Sequence, residues 1–196
     1  MKCKEVIKLV AVSVLLVAMS ATAGQAGNAK WRDIIGIIEA GNIVGVGDQG
    51  FTGPPFSTDG ILGGAPWSTL GGGAKVNFSS GQLQFQVKGL VLAVGSEKLF
   101  GIPTLPIGTP DGVTDVVGTL VCNVDGTAGG TGTSVTVDTP PVPLSSTGDA
   151  HFSGKVTIPD VCTSDPNPSN IAFLIRIFNP LAFRGVWIAN GAVLDR

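Results

Sequence analysis

The sequence contains no tyrosine and a single histidine, His151. Secreted surfaces that bind sugars or proteins use tyrosine freely, so its absence argues against an aromatic binding platform. One histidine leaves room for one Ser-His-Asp triad at most, and no G-x-S-x-G elbow accompanies it. Charged residues are scarce, at 13% of the chain, and Lys and Arg stand singly along it. Nucleic acid and anionic membranes are therefore poor candidate partners on sequence grounds. Only one long apolar run occurs, and it lies at the N-terminus.

That run extends from Leu9 to Met19, with Ser13 its only polar member, behind Lys2, Lys4 and Lys8. Ala21-Thr22-Ala23 follows as a small-x-small site, so residues 1–23 read as a signal peptide cut before Gly24. As a helix the run would span about 16 Å, roughly half a bilayer core, which disfavours a permanent anchor. Cys3 precedes the run and leaves with it. Removal of this segment takes away three lysines and one glutamate, moving the net charge from −2 to about −4. Residues 24–196 then form one domain, expected to be extracytoplasmic, secreted or periplasmic, with no membrane span.

Two cysteines remain, Cys122 and Cys162. In an exported chain they read as one disulfide closing a loop of about 40 residues, worth roughly 4 kcal/mol in the chain-entropy model.

The chain has 29 glycines and 13 prolines, and they fall mostly between apolar runs rich in Val, Ile, Leu and Phe. This is the pattern of short strands joined by tight turns. The clearest strand spans residues 81–92, where Leu83, Phe85 and Val87 alternate with Gln82, Gln84, Gln86 and Lys88. A helix would place Leu83 and Phe85 about 200° apart and waste that alternation. Residues 150–158 repeat it, with Phe152, Val156 and Ile158 inward and His151, Ser153, Lys155 and Thr157 outward. Further strands are expected at 31–46, 74–79, 113–122, 133–138, 171–178 and 185–189, although Ile34 to Ala40 could form one helical turn. Residues 47–73 read as an irregular crossover.

The fold class is therefore all-β. The expected architecture is a single β-sandwich of the immunoglobulin-like kind with seven or eight strands, a barrel being the alternative. No Trp lies between the cysteines, so the antibody core pattern is absent. If 113–122, 133–138 and 150–158 ran as a flat meander, the cysteine-bearing strands would stand about 9.6 Å apart, too far for a disulfide. Either residues 159–162 reach back or the strands oppose one another across the core.

Several motifs point to chemistry and do not carry it. Gly45, Gly47 and Gly50 match G-x-G-x-x-G, but Phe51-Thr-Gly-Pro-Pro follows where a phosphate-binding helix would have to begin. Asp48, Asp59, Asp111, Asp115 and Asp125 sit among glycines, where turn chemistry explains them as well as calcium ligation does, and the EF-hand pattern is missing. Trp187 reads as core, whereas Trp67, after Gly-Gly-Ala-Pro, is expected in an exposed loop.

Five stretches, namely Gly63 to Trp67, Gly81 to Gly95, Gly118 to Cys122, Thr139 to Cys162 and Gly185 to Gly191, resemble a group of uncharacterised secreted bacterial proteins. That resemblance covers roughly residues 60–192 and implies a signal peptide, an all-β domain and a cysteine pair, with no assigned activity. Pro140-Pro-Val with Gly148-Asp-Ala-His-Phe is also similar to the chordin-like CHRD domain, whose H-x-H element this chain lacks.

The favoured reading is an exported, non-enzymatic interaction or structural module. It has no catalytic residue, cofactor or metal, and its partner is an unknown protein or cell-envelope component. The alternatives are a secreted hydrolase with an unlocated carboxylate pair, or a carbohydrate- or calcium-binding module.

Overall fold

The computed structural model describes residues 27–38, 43–44, 61–96, 105–126, 133–164, 170–178 and 185–195. The signal segment, the 45–50 glycine motif, Asp48 and Asp59 lie outside these residues.

Among the described residues, alternating and β-branched runs give thirteen strands in chain order: β1 (Asn28–Gly36), β2 (Ile43–Val44), β3 (Ile61–Leu62), β4 (Trp67–Ser68), β5 (Gly71–Asn77), β6 (Gln82–Lys88), β7 (Val91–Leu92), β8 (Asp115–Cys122), β9 (Val135–Asp138), β10 (Val142–Pro143), β11 (Ala150–Lys155), β12 (Ile171–Ile177) and β13 (Trp187–Asp195). A single helical turn, α1 (Val161–Ser164), follows β11. Among the described residues no helix is long and apolar enough to cross a membrane.

The fold is all-β. Nine strands form one antiparallel sheet in the order β10-β8-β12-β13-β1-β5-β6-β11, with β9 also paired to β8. The sheet curls until β10 comes back beside β11, so it wraps around its own core. This is consistent with the expected sandwich or its barrel alternative, the facing parts belonging to one continuous hydrogen-bonded path. Two short pairs, β2–β3 and β4–β7, stand apart from it.

The alternation in β6 sets the register of its neighbours. Leu83, Phe85 and Val87 lie opposite Val76, Ala74 and Gly72 of β5, and opposite Gly154, Phe152 and Ala150 of β11. Leu83, Phe85 and Val87 are each at most 3% exposed. A one-residue slip would bury the glutamines instead. Across the core, Phe85 meets Phe173 of β12 at a ring-centroid distance of 5.6 Å, and Trp31 of β1 meets Phe173 at 5.5 Å. Glycines make this packing fit. A Cβ on Gly118 would lie 2.6 Å from the Phe85 ring, and one on Gly191 would lie 2.5 Å from Trp31.

Local departures from the sequence reading have identifiable causes. The 81–92 run divides into β6 and β7 because Gly89 adopts φ 61° and turns the chain. β1 takes in Ile34–Gly36 as strand and ends there, so the helical turn does not form at those residues, and of the rest of the expected 31–46 strand the described Ile43–Val44 form the separate β2. In β1 the burial phase also slips, from Trp31 to Ile34, across the exposed Arg32 and Asp33. Trp67 is not exposed. It lies in β4, only 4% accessible, with its N–H donating to the Ile37 carbonyl. Residues 61–73, expected to be irregular, hold β3, β4 and the start of β5.

Cys122 and Cys162 are joined, with Cα atoms 5.1 Å apart, and both are buried. The strands they follow are not neighbours: β8 pairs with β9, β10 and β12, whereas β11 pairs with β6 at the far end of the path. The turn α1 carries Cys162 to the end of β8. Beside it, Asn123, Asn170 and Asp125 form a polar knot. The Asn170 amide donates to Asp125 at 2.7 Å and accepts from the Asp125 N–H at 2.9 Å, and the Asn123 amide donates to the Thr133 carbonyl.

Candidate functional site: a cationic sheet face

The outward positions of β1, β5, β6 and β11 form one polar surface. Directly opposed residues on antiparallel strands point to the same side of the sheet. One row across it reads Asp195, Lys30, Lys75, Gln84, Ser153. Two residues back along β5, a second row reads Gly73, Gln86, His151. Two residues further along β5 lies Asn28, Asn77, Gln82, Lys155. Lys88 closes the face opposite Gly71.

Lys30, Arg32, Lys75, Lys88 and Lys155 are all exposed. Five of the six described Lys and Arg side chains thus share one face, from positions that are far apart in the sequence. The expectation that basic residues stand singly holds along the chain and fails in space, because strand pairing gathers them. Most described carboxylates lie elsewhere: Asp111, Asp125, Asp149 and Asp160 in loops or turns, Asp115 and Asp138 on β8 and β9. Asp33 is the exception on β1, exposed beside Arg32, with Oδ1 3.6 Å from where a Cβ on Gly71 would stand. Asp195 is the acid within the rows, and it is engaged by Arg32. Among the described residues no carboxylate forms an ion pair with Lys30 or Lys75.

A shallow hollow of about 470 Å³, open to solvent, lies on this face. Lys30, Arg32, Lys75, Gln84, Gln86 and His151 border it, and the backbone of Gly72 and Gly73 contributes to its floor. Strand crowding accounts for these glycines. A Cβ on Gly72 would stand 2.3 Å from the Gln86 carbonyl oxygen, and one on Gly73 would stand 3.1 Å from that of Trp31. His151 therefore sits where the alternation placed it, on the solvent side, as part of a wider polar surface.

The sixth cation behaves differently. Arg176 on β12 is 5% exposed, with Nε donating to the Gly185 carbonyl at 2.8 Å and Nη1 donating to Asp138 at 3.1 Å. Asp138 also accepts from the Thr119 hydroxyl at 2.6 Å. Burial lowers the Arg176 pKa from its ordinary value, and the Asp138 charge opposes that shift. The guanidinium acts as a cross-brace between β8, β9, β12 and the approach to β13.

Of the loop aspartates considered for calcium, Asp111, Asp115 and Asp125 are described. Among the described residues no three His, Cys or acidic side chains come together as a metal site would require. Asp125 is occupied in the knot beside the disulfide. Of the tryptophans, Trp31, Trp67 and Trp187 are all core residues, at most 5% exposed.

The cation grouping escaped sequence reading because it depends on pairings between β1, β5 and β11. The one local signal was the run of polar partners at Gln82, Gln84, Gln86 and Lys88. Neither a protein-family model nor a curated protein nor a solved structure matches this chain.

Proposed function

We propose that the protein is an exported, non-enzymatic binding module that engages a cell-envelope component through the outer face of β1, β5, β6 and β11. The carrying observation is the concentration of exposed cations, glutamines and His151 around one hollow, while most described acids lie elsewhere. Lysine, arginine and glutamine offer many donors at fixed spacing on a rigid sheet, which suits recognition. The Cys122–Cys162 bond is compatible with an oxidising extracytoplasmic compartment, and the N-terminal 1–23 segment supports export.

Co-sedimentation of the mature protein with envelopes of the producing cells tests this reading. Wild type should pellet with them, and Lys30→Glu/Lys75→Glu, folded as judged by circular dichroism, should stay in solution. Equal behaviour of the two proteins would overturn it. Release of new reducing ends during the incubation would instead favour a hydrolase.

A further inference from the structure

We infer that this face binds an acidic polysaccharide, a glycan chain with carboxylate or sulfate groups spaced along it. The inference rests on the binding-module reading and names the ligand class. Lys30 and Lys75 lie directly opposite each other, an arrangement that costs stability when no counter-charge intervenes. Edge protection does not explain them. Lysines are often placed on edge strands to block aggregation, which suits Lys155 on β11, but β1 and β5 are interior to the sheet path. Solubility alone is served better by interspersed signs. Asp195, opposite Lys30 on its other side, is engaged by Arg32, and five cations on the face outnumber Asp33 and Asp195; a polyanion supplies the balance of the counter-charge.

The dimensions and the company of these cations narrow the choice. Three inter-strand steps by about six residues give a face of roughly 14 by 20 Å. The cations are distributed over it and not clustered on one point, which fits charges repeated along a chain better than a single phosphate. Between them Gln82, Gln84, Gln86 and Ser153 present amides and a hydroxyl, partners for sugar hydroxyls. No Phe or Trp ring stands fully exposed among the described residues of the face, and the His151 imidazole is its one exposed ring, so it offers no series of aromatic platforms on which successive bases of a single-stranded nucleic acid could stack. Nor does a large exposed apolar side chain stand in the rows, as interfacial insertion into lipid would need.

Affinity electrophoresis through gels containing polygalacturonate tests the assignment, with methyl-esterified pectin and neutral dextran as matched uncharged polymers. Polygalacturonate should retard the mature protein, the uncharged polymers should not, and added salt should abolish the effect by counterion release and screening. Lys30→Gln/Lys75→Gln should weaken retardation on the order of tenfold and flatten its salt dependence, because two counterion-releasing contacts are gone. Lys30→Arg/Lys75→Arg should retain it. Both variants should melt at or above the wild-type temperature, which separates lost binding from lost fold. The assignment is overturned by absent retardation, by retardation unchanged in the glutamine variant, or by tighter lysine-dependent binding to oligothymidylate or phosphatidylglycerol vesicles. Envelope binding that needs the lysine pair, together with no response to polygalacturonate, removes the acidic glycan and leaves the binding face. Loss of both removes both.

Discussion

Phe85 and Gly118 should be energetically coupled, and a double-mutant cycle would measure by how much. Phe85 is 3% exposed and packs against Phe173 and, at 6.2 Å between centroids, Phe152. Truncation to alanine should cost about 3–5 kcal/mol through lost transfer energy and a cavity. Gly118 lies across from that ring: a Cβ there would stand 2.6 Å from two Phe85 carbons and 2.9 Å from Phe173. Gly118→Ala should therefore cost about 1–3 kcal/mol by overpacking, offset by the roughly 0.5–1 kcal/mol that alanine gains over glycine in a strand. With Phe85 already truncated, the new methyl enters vacated space and the Phe85 part of its penalty should vanish, leaving the closer fit against Phe173, whose ring can shift into the same space. The double variant should then be at least about 1 kcal/mol more stable than the sum of the singles implies. Urea melts of the four proteins, fitted with a common m-value, would show it. Additivity within about 0.5 kcal/mol would mean that the two sites do not share a cavity, and the packing described here would be wrong.

Replacing Cys122 by serine should lower stability by roughly 2–5 kcal/mol, and non-reducing peptide mapping of the wild type should recover one Cys122–Cys162 cross-link; alkylation of both thiols without reductant would refute the bond. On the outer face, Gln84→Ala and His151→Ala should each change stability by about 0.5 kcal/mol or less in urea, since both side chains border solvent; a large loss would mean that this face is covered. Arg176→Leu should cost about 1–3 kcal/mol because the Gly185 carbonyl loses its donor, and Arg176→Lys should recover only part of that, having no planar fork to reach Gly185 and Asp138 together. Thermal melts of the two Arg176 variants would decide.

What could be read in advance was what is local. Three alternations in β6 permit one register, so the burial of Leu83, Phe85 and Val87 followed from period alone, as did the outward placing of His151 and Lys155. The all-β class followed from many such short runs punctuated by glycine. Trp67 was misjudged because its surroundings, Gly63, Gly64, Ala65 and Pro66, look like a loop; it is held in place by Ile37, just past β1, and by its partner Leu92 on β7, which no local pattern announces. Gly118 and Gly191 look like strand-weakening residues until the rings that fill their missing side chains are seen from other strands. The lysine pair was invisible for the same reason: charge is legible along a chain, whereas charge density is a property of pairing.

The first and last long strands are neighbours. β1 pairs with β13, and Arg32 is tied to Asp195 across a separation of 163 residues. A chain delivered N-terminus first, from a ribosome or through a channel, presents β1 before β5 and long before its second partner, β13. Until then β1 can pair with β5 alone, and its other edge stays open with Trp31 uncovered by β13. Closing so long a loop is entropically slow, so the final docking of β13 should limit the folding rate. A protein missing its last ten residues would keep most of its strands and still lack the strand that joins the two halves of the sheet.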